Sequence, residues 1–339
     1  MVYSASAVTA AARYGSPYYF LVRQLIWAAA GLAAMMLLMN FDYRKLCSPL
    51  LVFPAVGLEL ILLLAALASD RSHKVHRWLH LGAASFEPSE LSKLVLVVFL
   101  AYFLDLRRNQ VNDFAHTLAP LGLLTGLTFA LVLKEPDLGT AIVILFVVAA
   151  MLFVAGIRLA YFAVPFACAV PLVYFGVYRV SYRWNRILAY WEPGKDPLGK
   201  GFQALQAKIA VATGGITGVG LMEGKQKLFY LPEPHNDFIF AVIGEELGLV
   251  GALALVALFA LILWRSLRAA LRSPDHFGRL LALGITVLLV GQALVNMSVV
   301  LSLLPTKGIP LPFISYGGSA LLIDLVAVGI LLNVAQHAS

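Results

Sequence analysis

Apolar residues fall into nine runs of helical length, separated by short polar turns. They lie near Tyr18–Met39, Pro49–Ala68, Pro88–Leu104, Leu118–Leu133, Leu138–Gly156, Leu159–Val180, Phe238–Trp264, Leu280–Leu304 and Leu311–Val334. A hydrocarbon core of ~30 Å takes about 20 helical residues, so each run predicts a transmembrane helix. The opening Met1–Ala12 is apolar too, but at 1.5 Å per residue it covers only about 18 Å. It reads as the tail of a helix that begins before residue 1. No basic region precedes an apolar run, so no cleavable signal peptide is expected.

The longest polar segment, Ser181–Asn236, separates the run ending at Val180 from the one starting at Phe238. Its first half mixes aromatic, basic and turn-forming residues and reads as an interfacial segment, with Trp184, Tyr190 and Trp191 suited to headgroup depth. Its second half holds too many glycines for a transmembrane helix. It predicts a short helix, Gln203–Ala212, followed by glycine-rich turns. A loop of this length is usually functional. The expectation is one all-α polytopic membrane domain over residues 1–339, with a large extracytoplasmic loop at 181–236 and no internal repeat.

Composition agrees. The chain is 61% apolar and 13% charged, against roughly 45–50% and about 25% in soluble domains. Cys47 and Cys168, far apart and in or beside apolar helices, read as buried thiols rather than a disulfide framework. Arg44, Lys45, Arg107, Arg108, Arg158, Arg265, Arg268, Arg272 and Arg279 fall on one side, assigned as cytoplasmic. The opposite short loops carry Arg13, Arg71, Lys74, Arg77, Lys134 and Lys307, and the long loop adds more. That outer excess predicts an anionic ligand or attraction to anionic headgroups.

The ionisable residues inside this apolar frame are the candidate chemistry. Asp237 is the last polar residue before Phe238-Ile239-Phe240, at the mouth of a predicted membrane helix. Glu245 and Glu246 lie two to three turns deeper, where an unpaired charge costs ~2.5 kcal/mol or more; they are expected to mark a site. Glu90 and Lys93 are i,i+3 neighbours at the start of another span, either a self-compensating pair or the lining of a polar cavity. In Glu135-Pro136-Asp137, Asp137 is expected to cap the helix that follows, while Glu135 has no assigned duty. His73, His76 and His80 have helix-face spacing, but Lys74 and Arg77 interleave and no carboxylate or Cys completes a set. Interfacial histidines are expected there rather than a metal site. The glycines from Gly214 to Gly224 fit neither the dinucleotide fingerprint nor the P-loop, so no nucleotide is expected. The Pro/Gly-rich stretch Leu304–Ser319 reads as a cavity wall, because broken backbone at membrane depth must be covered by protein or line a cavity.

Motifs along the whole chain carry a resemblance. Arg77-Trp78-Leu79, Pro88-Ser89-Glu90 with Lys93, Glu135-Pro136-Asp137-Leu138-Gly139, Gly201-Phe202-Gln203 with Gln206, Tyr230-Leu231-Pro232-Glu233, His235 with Asp237-Phe238-Ile239-Phe240, and Pro310-Leu311-Pro312-Phe313-Ile314-Ser315-Tyr316-Gly317-Gly318-Ser319 resemble those of the SEDS family, RodA more than FtsW. Glu87, Asn236, Ala207 and Lys307 depart from the usual family residues. The resemblance implies ten transmembrane helices, the first truncated here, with the large loop between the seventh and eighth. It implies a lipid II polymerase for cell-wall elongation in the bacterial cytoplasmic membrane, acting at the outer face. Its implied partners are a class B penicillin-binding protein and other elongation-complex membrane proteins, with no nucleic acid. The family's catalytic aspartate maps onto Asp237. The candidate substrate-binding residues are Trp78, Glu90, Lys93, Arg183, Arg186, Gln206, Lys208, Lys227, Glu233 and His235.

One carboxylate suffices for such chemistry. Glycosidases need two because their leaving alcohol must be protonated, whereas pyrophosphate leaves readily once cations neutralise it. The expected cations are Lys93, Arg183, Arg186, Lys208 and Lys227, or a divalent ion (Mg or Mn) held by the acids. The rival expectation is a flippase for lipid-linked precursors.

Overall fold

The computed structural model describes residues 1–69, 77–81, 84–163, 174, 190, 202–228, 230–305 and 308–338. Arg183, Arg186, His73, His76, Cys168, Lys307 and most of the run Leu159–Val180 lie outside the described residues. In chain order the principal elements are α1 (Val2–Tyr14), α2 (Tyr19–Met39), α3 (Pro49–Ser69), β1 (Leu79–Leu81), β2 (Ala84–Phe86), α4 (Pro88–Leu106), α5 (Ala119–Lys134), α6 (Leu138–Val154), α7 (Phe202–Gly214), α8 (Ile239–Arg272), α9 (His276–Val300) and α10 (Gly318–His337).

The fold is all-α and polytopic. The first five predicted runs match α2 to α6 with ends displaced by no more than two residues. Six described helical segments are long and apolar enough to cross a bilayer. The short loop helix is present as α7. Three expectations need correction. The run placed at Phe238–Trp264 extends to Arg272 and is broken at Gly248, whose φ of 65° and ψ of −161° belong to a region that is essentially glycine-only. The last helix starts at Gly318 rather than Leu311. Pro310 and Pro312 have no N–H to give a helix, and the Ser315 hydroxyl accepts from Leu311 N at 2.8 Å, holding the segment as a turn. The histidine face is likewise corrected at His80, which stands in strand β1, paired antiparallel with Ser85 of β2.

The chain forms two compact units. The first comprises Met1–Leu25, Leu159–Ala260 and Gln292–Gly317, and buries Leu231, Phe238, Ile239, Phe240, Val300, Ile309 and Leu311. The second comprises Ile26–Arg158, Leu261–Gly291 and Gly318–Ser339, with α4 at its centre against α3, α5, α6 and α10. Pro88 opens α4 at a position whose N–H would have no helical partner anyway, and Leu94, Leu96, Val97, Leu100 and Leu104 are buried along it.

Candidate active site

In the first unit, the break at Gly248 frees backbone groups that a continuous helix would pair internally. The glycine-rich turn after α7 takes them up. Val219 N donates to Glu245 O at 3.0 Å and Gly220 N to Glu246 O at 3.1 Å, while Leu249 N and Val250 N donate to Gly215 O and Ile216 O at 2.9 and 3.1 Å. These four bonds supply protein partners at a depth where water would not.

The two deep carboxylates follow the same logic. Glu245 Oε1 accepts from Lys225 N at 2.8 Å and Gln226 N at 3.2 Å. Glu246 Oε1 accepts from Lys227 Nζ at 2.6 Å and from the Ser4 hydroxyl of α1 at 2.5 Å. Lys227 Nζ also donates to Met222 O at 2.8 Å. Two expectations are thereby corrected. Glu245 and Glu246 clamp the loop before α8 rather than standing unpaired, and Lys227 is a buried partner of Glu246 rather than an open cation for a ligand.

The clamped loop leads to Asp237, half-buried in the turn that enters α8. Three contacts fix the backbone around it. Asn296 Nδ2 of α9 donates to Asp237 O at 2.9 Å and to Ile309 O at 2.7 Å. The Ser315 hydroxyl donates to Asn236 O at 2.6 Å. Tyr316 N donates to His235 O at 2.8 Å. The Pro/Gly-rich stretch therefore packs against this turn through Ser315 and Tyr316. Sequence reading missed Asn296. Its signal was available, because Gln292 and Asn296 are amides one turn apart in an apolar run, and Gln292 Nε2 reaches Pro310 O at 3.0 Å.

Gly308 sets the room left for the carboxylate. A Cβ there would stand 2.9 Å from Asp237 Oδ2. The carboxylate can swing away at small cost in stability, but it would no longer sit where the turn now holds it. Gly308→Ala is therefore expected to lower any activity that depends on this carboxylate by ~10- to 100-fold, the scale of a sub-ångström to 1 Å misplacement, while the melting profile in detergent stays within error. Normal turnover would show that the position of this carboxylate is not critical.

Beside Asp237, His235 is buried, 4.5 Å ring to ring from Phe20 and 5.7 Å from Tyr316. Burial lowers its pKa despite the nearby Glu233 carboxylate, whose Oε2 is 3.5 Å from Nε2. The imidazole is thus neutral at neutral pH. Glu233 is exposed and also meets Arg13 at 3.7 Å. Gln206 is half-buried and Lys208 exposed on α7.

The second unit holds Trp78, Glu90 and Lys93. The last two form the expected pair at 2.8 Å, both buried. Asp324 of α10, absent from the sequence-derived candidates, also acts electrostatically on Lys93. Trp78 is half-buried. Asp137 caps α6 as expected, accepting from Thr140 N at 3.1 Å. Arg77 ties this turn down, donating to Glu135 O at 3.1 Å and Pro136 O at 2.5 Å, with Asp137 Oδ2 at 3.9 Å.

Glu135 is fully buried, and among the described residues neither carboxylate oxygen has a hydrogen-bond partner. Burial, reinforced by the Asp137 charge, pushes its pKa up to about 8. The folded protein holds that proton where the unfolded chain would release it, so stability falls as pH rises from the ordinary glutamate range through about 8. Glu135→Gln is expected to melt above the parent at pH 8.5 and to converge with it near pH 4.5. A parallel offset at every pH would refute the protonated state.

Among the described residues, no three His, Cys, Asp or Glu side chains converge as a preformed metal site.

The family model described as cell cycle protein, covering FtsW, RodA and SpoVE, matches residues 1–339. The chain is 46% identical over 342 residues to "Probable peptidoglycan glycosyltransferase FtsW" of Geobacter metallireducens, covering 99% of this chain and 90% of that one. It is 42% identical to stage V sporulation protein E of Bacillus subtilis, covering 99% and 92%. Among solved structures, a chain of a peptidoglycan synthase complex that coordinates polymerization and crosslinking matches with a TM-score of 0.80 and 33% identity, over 99% of this chain and 94% of that one. The rod shape determining protein RodA of Thermus thermophilus matches with a TM-score of 0.69 and 29% identity, over the same shares.

Proposed function

Because the chain belongs to the FtsW/RodA/SpoVE family of cell cycle proteins, we propose that it is a multi-pass membrane peptidoglycan glycosyltransferase that polymerises lipid II, with Asp237 as general base. The observation that carries this reading is the built turn around Asp237: Asn296, Ser315 and Tyr316 hold its backbone, and Gly308 leaves room for its carboxylate. In the reaction, an Asp237 oxygen takes the proton of the attacking sugar hydroxyl as that oxygen bonds to the anomeric carbon of the donor. The bond from the anomeric carbon to undecaprenyl pyrophosphate breaks, and its electron pair leaves with the pyrophosphate. Attack opposite the leaving group inverts the anomeric centre.

Arg183, Arg186 and Lys208 are proposed to meet the pyrophosphate charge, and Gln206, Glu233 and His235 to contact substrate; Glu90 and Lys93, buried against each other, are left out. Lys227 is removed from that set by its pairing with Glu246. The matched chain in a peptidoglycan synthase complex supports a class B penicillin-binding protein as partner, and an outer-face site follows from lipid II polymerisation. The FtsW and SpoVE relatives, at 46% and 42% identity, support division or sporulation over the elongation role that the motif resemblance suggests.

The deciding experiment is purified protein with its penicillin-binding partner and lipid II in detergent. Glycan strands are expected. A protein that makes none, yet moves lipid II across vesicle membranes, would be a flippase.

A further inference from the structure

We propose that a groove in the second unit, between the C-terminal turns of α8 and the C-terminal half of α10, binds the phosphodiester headgroup of an anionic phospholipid. One wall carries Arg265, Arg268 and Arg272, and the other Leu331, Leu332 and Ala335, around a space of about 340 Å³. The arginines are spaced i, i+3 and i+7, so their guanidinium groups share one helix face. All three are exposed, and none belongs to an ion pair among the described residues. Asp275, the acid that follows them in sequence, is already engaged by the Tyr43 hydroxyl, by Gly278 N at 2.6 Å and by Arg44 at 3.5 Å. Among the described residues, three like charges therefore face one groove without a counter-charge.

The surroundings select the kind of anion. Trp264 is exposed, with the Arg265 guanidinium 6.0 Å from its ring. Leu261, Leu267 and Leu271 are exposed on the same helix. An exposed indole among exposed leucines at the end of an apolar helix is the pattern of headgroup depth. A phosphate at that depth meets the guanidinium forks, whose geometry suits paired phosphate oxygens. The attached glycerol and acyl chain meet the leucine and alanine wall. Inorganic phosphate would use the arginines alone and leave that wall bare.

The test is native mass spectrometry and thermal melting of the full chain in detergent, with phosphatidylglycerol, phosphatidylcholine or inorganic phosphate added. Phosphatidylglycerol is expected to stay bound and to raise the melting temperature, and the other two to do neither. Arg265→Gln/Arg268→Gln/Arg272→Gln is expected to weaken phosphatidylglycerol binding roughly 100-fold, from three charges each worth about fivefold at a membrane surface. If that variant does not fold, Arg268→Gln/Arg272→Gln should show a drop of roughly 25-fold on the same scale. The control Arg107→Gln/Arg108→Gln removes charge elsewhere and should bind as the parent does. An equal loss in the control, full retention in the groove variants, or full stabilisation by inorganic phosphate would each overturn the proposal.

Discussion

Asp237→Asn is expected to lower the chemical step of strand synthesis by at least ~100-fold, the usual contribution of a positioned general base, with melting unchanged. The substitution separates two roles that one carboxylate at a helix entrance can have. As a helix cap, aspartate contributes ~1 kcal/mol, and asparagine caps about as well. As a base, asparagine is nearly useless. The backbone of the turn is held by Asn296, Ser315 and Tyr316 through main-chain carbonyls. Those contacts do not depend on the side chain at 237, so the variant should keep its local fold. The measurement is single-turnover polymerisation of lipid II beside melting in the same detergent. Near-normal strand synthesis would end the general-base assignment, whatever the family.

What could be read from the sequence was local. Asp137 follows Pro136 at the start of an apolar run, and that suffices to foresee its cap on Thr140 N. Glu90 and Lys93 are neighbours by helical spacing alone, and their pair is present. Long apolar runs end where polar residues begin, so the bounds of α2 to α6 were legible. What could not be read depends on partners remote in the chain. The break at Gly248 is stable because residues 215–220 satisfy the freed backbone, and a single glycine in an apolar run does not announce such a partner. Asn296 holds Asp237 across 59 residues of sequence. Glu246 meets Ser4 across 242. Lys227 shows the cost of this blindness: basic, in a loop and near the motif, it read as an open cation, whereas the fold buries it against a carboxylate that looked equally unpaired.

That pair gives the second large effect. Lys227→Met is expected to destabilise the protein by ~3–5 kcal/mol, because removing one partner of a buried ion pair strands the other charge. The Glu246 side chain has no exposure, so water cannot replace the ammonium. The Ser4 hydroxyl, at 2.5 Å from the same oxygen, is a neutral donor and offsets only part of the loss. Lys227→Met/Glu246→Gln removes both charges and keeps the shapes, so it should recover most of the stability. Denaturation of the three proteins in one detergent decides the matter. Equal stability of parent and single variant would refute the clamp. If the double variant instead melts no higher than the single, the loss comes from packing of the lysine chain rather than a stranded charge. Activity adds a further reading, since Gln226 O accepts from Leu231 N at 2.8 Å and ties the clamped segment to the residues that lead into Asp237. A double variant that folds as the parent does but polymerises more slowly would show that the ion pair sets where the turn carrying Asp237 sits, as well as whether it holds together.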